Sequence, residues 1–193
     1  MSCEYSPVPE PKEIIENWFN KANSNEEPFD NFIALWISFN CFYTSGKRYV
    51  KARKLTNQPN IPEILYLKSF CSEKKYRSIY SELLKNSISF QEELNYFLKL
   101  LNEKTRFKGK IADLRPDMRD RVDRAQSFSD IINFEEFMLV SYQIRCNLFH
   151  GNKSPFNDGD NDIVSAIYAP FIRFLQKVYE YEGYLKINNN ENK

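Results

Sequence analysis

The chain holds one histidine, His150, so any chemistry that needs an imidazole must run through it. It lies in the segment Gln143-Ile-Arg145-Cys-Asn147-Leu-Phe-His150-Gly151-Asn-Lys153. Imidazole moves protons near neutral pH, and a guanidinium grips oxyanions. On a helix, two positions five apart differ by about 7.5 Å of rise and roughly 140° of rotation. Arg145 and His150 therefore fall on the edges of one broad face, and Asn147, three before His150, can hydrogen-bond the ring. The same spacing has a plainer reading. A histidine at a helix C-terminus interacts well with the macrodipole, and an arginine on the last turns is commonplace.

Two further groups of residues invite attention. Lys47, Arg48, Lys51, Arg53 and Lys54 form a run of five cations with no acid between Gly46 and Gln58. Such a run can track an RNA backbone, with Tyr49 available to stack on a base, or it can be a solvated loop. Lys104, Arg106, Lys108 and Lys110 form a second basic stretch. Asn40 is an amide inside a nearly all-apolar segment, and a buried amide requires partners. It either orients His150 or Arg145 or satisfies a carbonyl or water in the core.

Other motifs fall away. Gly46-Lys47 lacks the upstream Gly and the following Ser or Thr of a phosphate loop. A single histidine rules out an H-E-x-x-H zinc site. Asp158-Gly-Asp160-Asn-Asp162 resembles the start of a calcium loop but lacks Gly at the sixth position and Glu at the twelfth. It reads as a turn, with Asp162 as an N-cap. No metal site and no cofactor is expected.

The elements that must position these residues read as helices joined by polar loops, an all-α helical bundle. Ile14, Ile15, Trp18 and Phe19 mark a helix over residues 11–22. Residues 28–43 are apolar nearly all round and belong at the centre. A basic loop is expected over 47–62, then helices over 62–71, 73–85 and 89–101, with Ser89 as N-cap. An irregular basic connection over 103–115 leads to a charged helix over 116–128. Residues 134–149 place Phe137, Ser141, Ile144 and Leu148 on one face, and Gly151 is a natural end. A last helix spans 163–181, with Pro170 kinking or restarting it.

Composition sets the frame. A length of 193 residues with 42% hydrophobic side chains suits one domain with a real core. Charges nearly cancel, 27 basic against 26 acidic, which excludes a histone-like binder and confines any nucleic-acid surface to a patch. Five glycines among many long apolar side chains argue against turn-dense β folds. Cys3, Cys41, Cys71 and Cys146 form no C-x-x-C pair and read as reduced thiols, pointing to the cytoplasm. Neither a signal peptide nor a membrane span is expected, and residues 186–193 read as a disordered tail.

Arg145-Cys-Asn-Leu-Phe-His150-Gly resembles the R-x4-6-H signature of the HEPN superfamily (higher eukaryotes and prokaryotes nucleotide-binding), in the R-x-N-L-F-H-G form of many bacterial members. Leu35-Trp36-Ile37-Ser-Phe39-Asn40 is similar to the family's long central helix. The resemblance covers those helices well and residues 47–128 poorly, so that segment reads as a branch-specific insertion. Cys146 stands where the family often carries a polar residue. Asn152 stands where a subgroup paired with a nucleotidyltransferase antitoxin carries Tyr.

The resemblance implies an up-and-down bundle, usually a homodimer, and a metal-independent endoribonuclease site where two copies of the motif meet. Arg145, His150 and Asn147 are then the catalytic residues, RNA is the substrate, and a protein antitoxin or regulator is a further partner in a defence or toxin–antitoxin setting. In this chemistry the 2′-OH attacks the adjacent phosphate. His150 moves protons, a contribution of roughly 10²–10⁴ in rate, and Arg145 stabilises the charge that builds. One histidine per chain is thin for separate acid and base, and a two-fold dimer supplies two. The alternative is a non-catalytic HEPN protein that binds RNA, a nucleotide or a protein partner.

Overall fold

Eight helices and their connections make up a computed structural model that describes residues 11–24, 27–56, 60–103, 133–149 and 158–186. In chain order they are α1 (Lys12–Ala22), α2 (Pro28–Tyr43), α3 (Gly46–Arg53), α4 (Glu63–Cys71), α5 (Lys74–Asn86), α6 (Ile88–Glu103), α7 (Phe134–Phe149) and α8 (Asp158–Tyr181). There is no strand among the described residues, and none of their helices is long and apolar enough to cross a membrane.

The sequence of α2 dictates its place. Phe29, Phe32, Leu35, Trp36, Phe39, Phe42 and Tyr43 are all buried, and only a narrow, mostly half-buried stripe through Asp30, Ile33, Ile37 and Asn40 is left to solvent, so α2 runs through the centre. α1 buries only the stripe Ile15, Phe19 and Ala22 against it. α8 supplies the opposing rings. Phe171 stacks on Trp36, 5.6 Å between centroids, and meets Phe39 edge-on at 5.6 Å, while Tyr179 meets Phe42 at 5.3 Å. Each such ring contributes roughly 1.5–3 kcal/mol by burial. Ser38, fully buried on α2, donates to the Ile15 carbonyl at 2.8 Å and shares a hydrogen bond with the Tyr179 hydroxyl at 3.0 Å. One hydroxyl thus fixes the register of three helices.

Residues 63–103 pack into this bundle and do not hang from it as an appendage. Phe70 of α4 stacks on Tyr76 of α5 at 4.3 Å and also meets Phe39, Phe134 and Phe174. Tyr80 of α5 packs on Phe137 at 5.3 Å. α6 lies along α8, where Glu93 holds Arg173 with two hydrogen bonds of 3.0 and 2.6 Å. Three helices of the segment, α4, α5 and α6, therefore belong to the common core. The charged helix expected over 116–128 and the connection before it lie outside the described residues.

Three local expectations are corrected. The basic loop is helical over α3, because Arg48 and Ala52, one turn apart, both have something to bury against. Gly46, at φ 58°, takes the left-handed conformation that turns the chain straight from α2 into α3. The cap of α6 is Ser87, whose hydroxyl accepts the Phe90 amide at 3.3 Å, and Ser89 lies inside the helix. α8 starts at Asp158, so Asp162 is internal to it, and Asp158 and Asp160 meet the positive end of the dipole instead. The helix is continuous across the buried Pro170 and does not restart there.

The core's chemistry gives a testable pH limit. Burial raises the phenol pKa of Tyr43, Tyr76, Tyr80 and Tyr179 well above the ordinary value, and pushes Tyr168 up to about 12. In the unfolded chain these phenols titrate near 10. The folded state then holds protons that the unfolded chain releases, so stability is full below about pH 10 and falls as pH rises past it. In an alkaline titration the buried tyrosinates should appear together with loss of helical circular dichroism. Smooth titration of every phenol near 10 with the helices intact would contradict this.

Candidate active site

α7 is started by Asn133, whose side-chain oxygen accepts the Glu136 amide at 3.0 Å. Two stripes follow along it. Phe137, Ser141 and Ile144 are buried in the bundle, with half-buried Leu148 continuing the row. Tyr142, Arg145, Cys146 and Phe149 form a second stripe at helical spacing.

The second stripe faces a carboxylate that the sequence did not single out. Glu63 is the first residue of α4, where a negative charge suits the helix dipole. Its Oε2 accepts from Nη1 of Arg145 at 2.9 Å. Its Oε1 accepts from Nδ2 of Asn40 at 2.9 Å and from the Tyr43 hydroxyl at 2.5 Å. The Asn40 amide also donates to the Tyr43 oxygen at 2.9 Å. Asn40 and Tyr43 sit one turn apart at the end of α2, so one carboxylate draws donors from α2 and α7 onto α4.

The rest of the arginine is also constrained. The guanidinium carbon lies 4.6 Å from the centre of the Phe149 ring and 6.0 Å from that of Tyr142, and Nη1 is 3.9 Å from the Cys146 sulfur. Burial works against its charge, but the Glu63 carboxylate and the Cys146 thiol outweigh that, and its pKa lies above the ordinary arginine value. Tyr43, fully buried beside the same carboxylate, is held firmly as the neutral phenol by burial and then by the Glu63 charge. Nε of Arg145 is buried and has no hydrogen-bond partner. The group is therefore held in place, with 20% of its side chain open to solvent.

Asn147 is elsewhere. Two residues along a helix is about 200° of rotation, and Asn147 is buried away from the arginine. Its oxygen accepts from Gln143 at 2.9 Å, while its Nδ2 is buried without a partner. His150 lies outside the described residues. The structure thus joins Arg145 to Asn40 through Glu63 and leaves Asn147 apart from both.

The cationic run divides once α3 is formed. Arg48 is buried: Nε donates to the Phe42 carbonyl at 2.7 Å, Nη1 to the Tyr76 hydroxyl at 3.3 Å, and the guanidinium sits 3.7 Å over the Phe42 ring. It has no face for a phosphate. Lys51 is paired with Glu73 at 2.6 Å, and Tyr49 stacks on Tyr66 instead of standing open. Lys47 and Lys54 are exposed, and Arg53 is half-buried. The second basic stretch, Lys104 to Lys110, lies outside the described residues.

Glu63, Tyr43 and Phe149 are site residues that sequence reading did not identify. A glutamate after Pro62 signals only a helix start, and nothing local announces an arginine on a distant helix. Against this geometry, no protein-family model matches the chain, and no curated protein or solved structure matches it significantly.

Proposed function

We propose that this chain is a metal-independent endoribonuclease of the HEPN kind, cutting RNA by 2′-OH attack on the adjacent phosphate with Arg145 and His150. The supporting observation is the state of Arg145. It is a cation held by Glu63 at 2.9 Å, with the Phe149 and Tyr142 rings 4.6 and 6.0 Å away, and 20% of its side chain stays open to a phosphate. Preorganised charge of this kind stabilises a pentavalent phosphate without reorganising at the moment of reaction. Asn40 and Tyr43 fix the carboxylate, and the carboxylate fixes the arginine. His150 follows α7 directly and supplies the proton transfers. The products are a 2′,3′-cyclic phosphate and a 5′-hydroxyl, and their detection in EDTA after incubation with single-stranded RNA tests the reading.

The Arg145–Glu63 pair also favours a second reading, the non-catalytic HEPN protein that binds RNA, a nucleotide or a protein partner. There the pair serves only to brace α4 against α7. A defence or toxin–antitoxin role in the cytoplasm, with a protein regulator, belongs to the first reading.

One histidine per chain is thin for separate acid and base roles, and two chains at the site would supply both. Light scattering at micromolar concentration should give the mass of a homodimer, and a cross-link between cysteines placed near the end of α7 should join two copies. A monomer under all conditions, with or without RNA, would leave acid and base roles to a single imidazole and count heavily against the mechanism.

A further inference from the structure

Phe149 ends α7 with 52% of its surface exposed, while Phe137, Met138 and Ile144 of the same helix are buried. One approach to its ring is occupied by the Arg145 guanidinium. That cation is held in place by Glu63 at 2.9 Å, and the Tyr142 ring lies 6.0 Å from it. The surface therefore offers an open aromatic face and a fixed positive charge one helical turn apart, where neighbouring side chains are roughly 5–6 Å from each other. A nucleotide presents the complement, a flat base and an anionic phosphate joined through one sugar.

We propose that Phe149 stacks the base adjoining the phosphate held by Arg145, which makes unpaired, single-stranded RNA the substrate of the site. This rests on the ribonuclease reading. A base stacked on the ring has left its own helix, so duplex RNA is excluded. Every base has a π-face, so the contact is tolerant of sequence. A stacked base also carries its phosphate to the arginine from one direction only, which limits how the 2′-OH can lie.

The experiment uses the full chain and a fully 2′-O-methylated single-stranded oligonucleotide, which binds but has no nucleophile. Phe149→Leu and Phe149→Ala should each weaken binding roughly 5- to 150-fold, the range of base–aromatic stacking. Phe149→Trp should bind as tightly as the parent. An abasic residue scanned along the oligonucleotide should cost the parent protein a similar factor at one position. It should cost Phe149→Ala little more at that position, because the two changes remove the same contact. A leucine variant that binds like the parent, or losses that multiply, would overturn the proposal. So would a Phe149→Ala protein that turns from dimer to monomer while each chain keeps its affinity, since the ring would then be a subunit contact. If the parent cuts unmodified RNA and Phe149→Leu binds and cuts it equally well, the stacking role alone fails. If the parent neither binds nor cuts any single-stranded RNA, the ribonuclease reading fails and this one with it.

Discussion

His150→Ala and Arg145→Ala are each expected to lower RNA cleavage in EDTA by at least about 10²-fold, the usual loss when a general acid–base group or a transition-state cation is removed. The two variants differ in what they do to the fold. Arg145→Ala leaves Glu63 with Asn40 and Tyr43 but without its cation, at a carboxylate only 24% exposed. A partly buried charge left in that state costs on the order of 1–3 kcal/mol. Activity must therefore be compared with a thermal melt. Arg145→Lys separates the effects, since it keeps the charge beside Glu63 and loses the planar fork that grips a phosphate. It should stay folded and still lose most activity. Glu63→Gln keeps the shape of the network and removes the charge that holds Arg145, so its loss should be partial and lie in kcat more than KM. The pH profile should report a histidine-like ionisation. If the parent and His150→Ala cut RNA equally, the activity is a contaminant. If neither cuts over roughly pH 6 to 9, a range that brackets the imidazole, the non-catalytic reading replaces the catalytic one.

The two helices that carry the site were legible because their signals are local. Pro28 opens α2 and the Ser45-Gly46 pair follows its end, while an unbroken apolar surface marks it as central. α7 shows its core face by period alone. Asn40 stood out as an amide in that apolar surface, and it meets Arg145 through an intermediary. That intermediary is what the sequence hides. Glu63 and Arg145 are far apart in the chain, and a carboxylate at a helix start reads the same whether or not an arginine comes to it. The contribution of α4 to α6 to the core was hidden for a related reason. Their rings lie in short segments separated by charge and proline, so none looks central. Only the packing of Phe70, Tyr76 and Tyr80 against α2, α7 and α8 shows that they complete the core.

Arg48→Ala is expected to destabilise the protein by about 2–4 kcal/mol in a denaturant titration, the scale for losing hydrogen bonds to buried groups and opening a cavity. The arginine is 6% exposed, and it ties the end of α2, through the Phe42 carbonyl, to Tyr76 on α5. Tyr76 in turn donates to Glu182 at 2.8 Å, beyond the end of α8, and Lys75 pairs with the same carboxylate. Removing Arg48 opens a cavity beside Phe42 and leaves the carbonyl without that donor. Its neighbours in sequence should behave in the opposite way. Lys47 and Lys54 are exposed, so Lys47→Glu and Lys54→Glu should leave the melt almost unchanged. If α3 lies along the RNA, those two reversals should weaken binding, and each lost phosphate contact should flatten the salt dependence by about one unit of slope. Unchanged affinity and slope would make α3 a solvated face. An Arg48→Ala protein that melts like the parent but fails to bind RNA would move that residue from the core to the interface. The five cations thus divide into a buried brace (Arg48), an ion pair (Lys51), a half-buried Arg53 and two exposed lysines, and the partition is set by which way the helix turns each one.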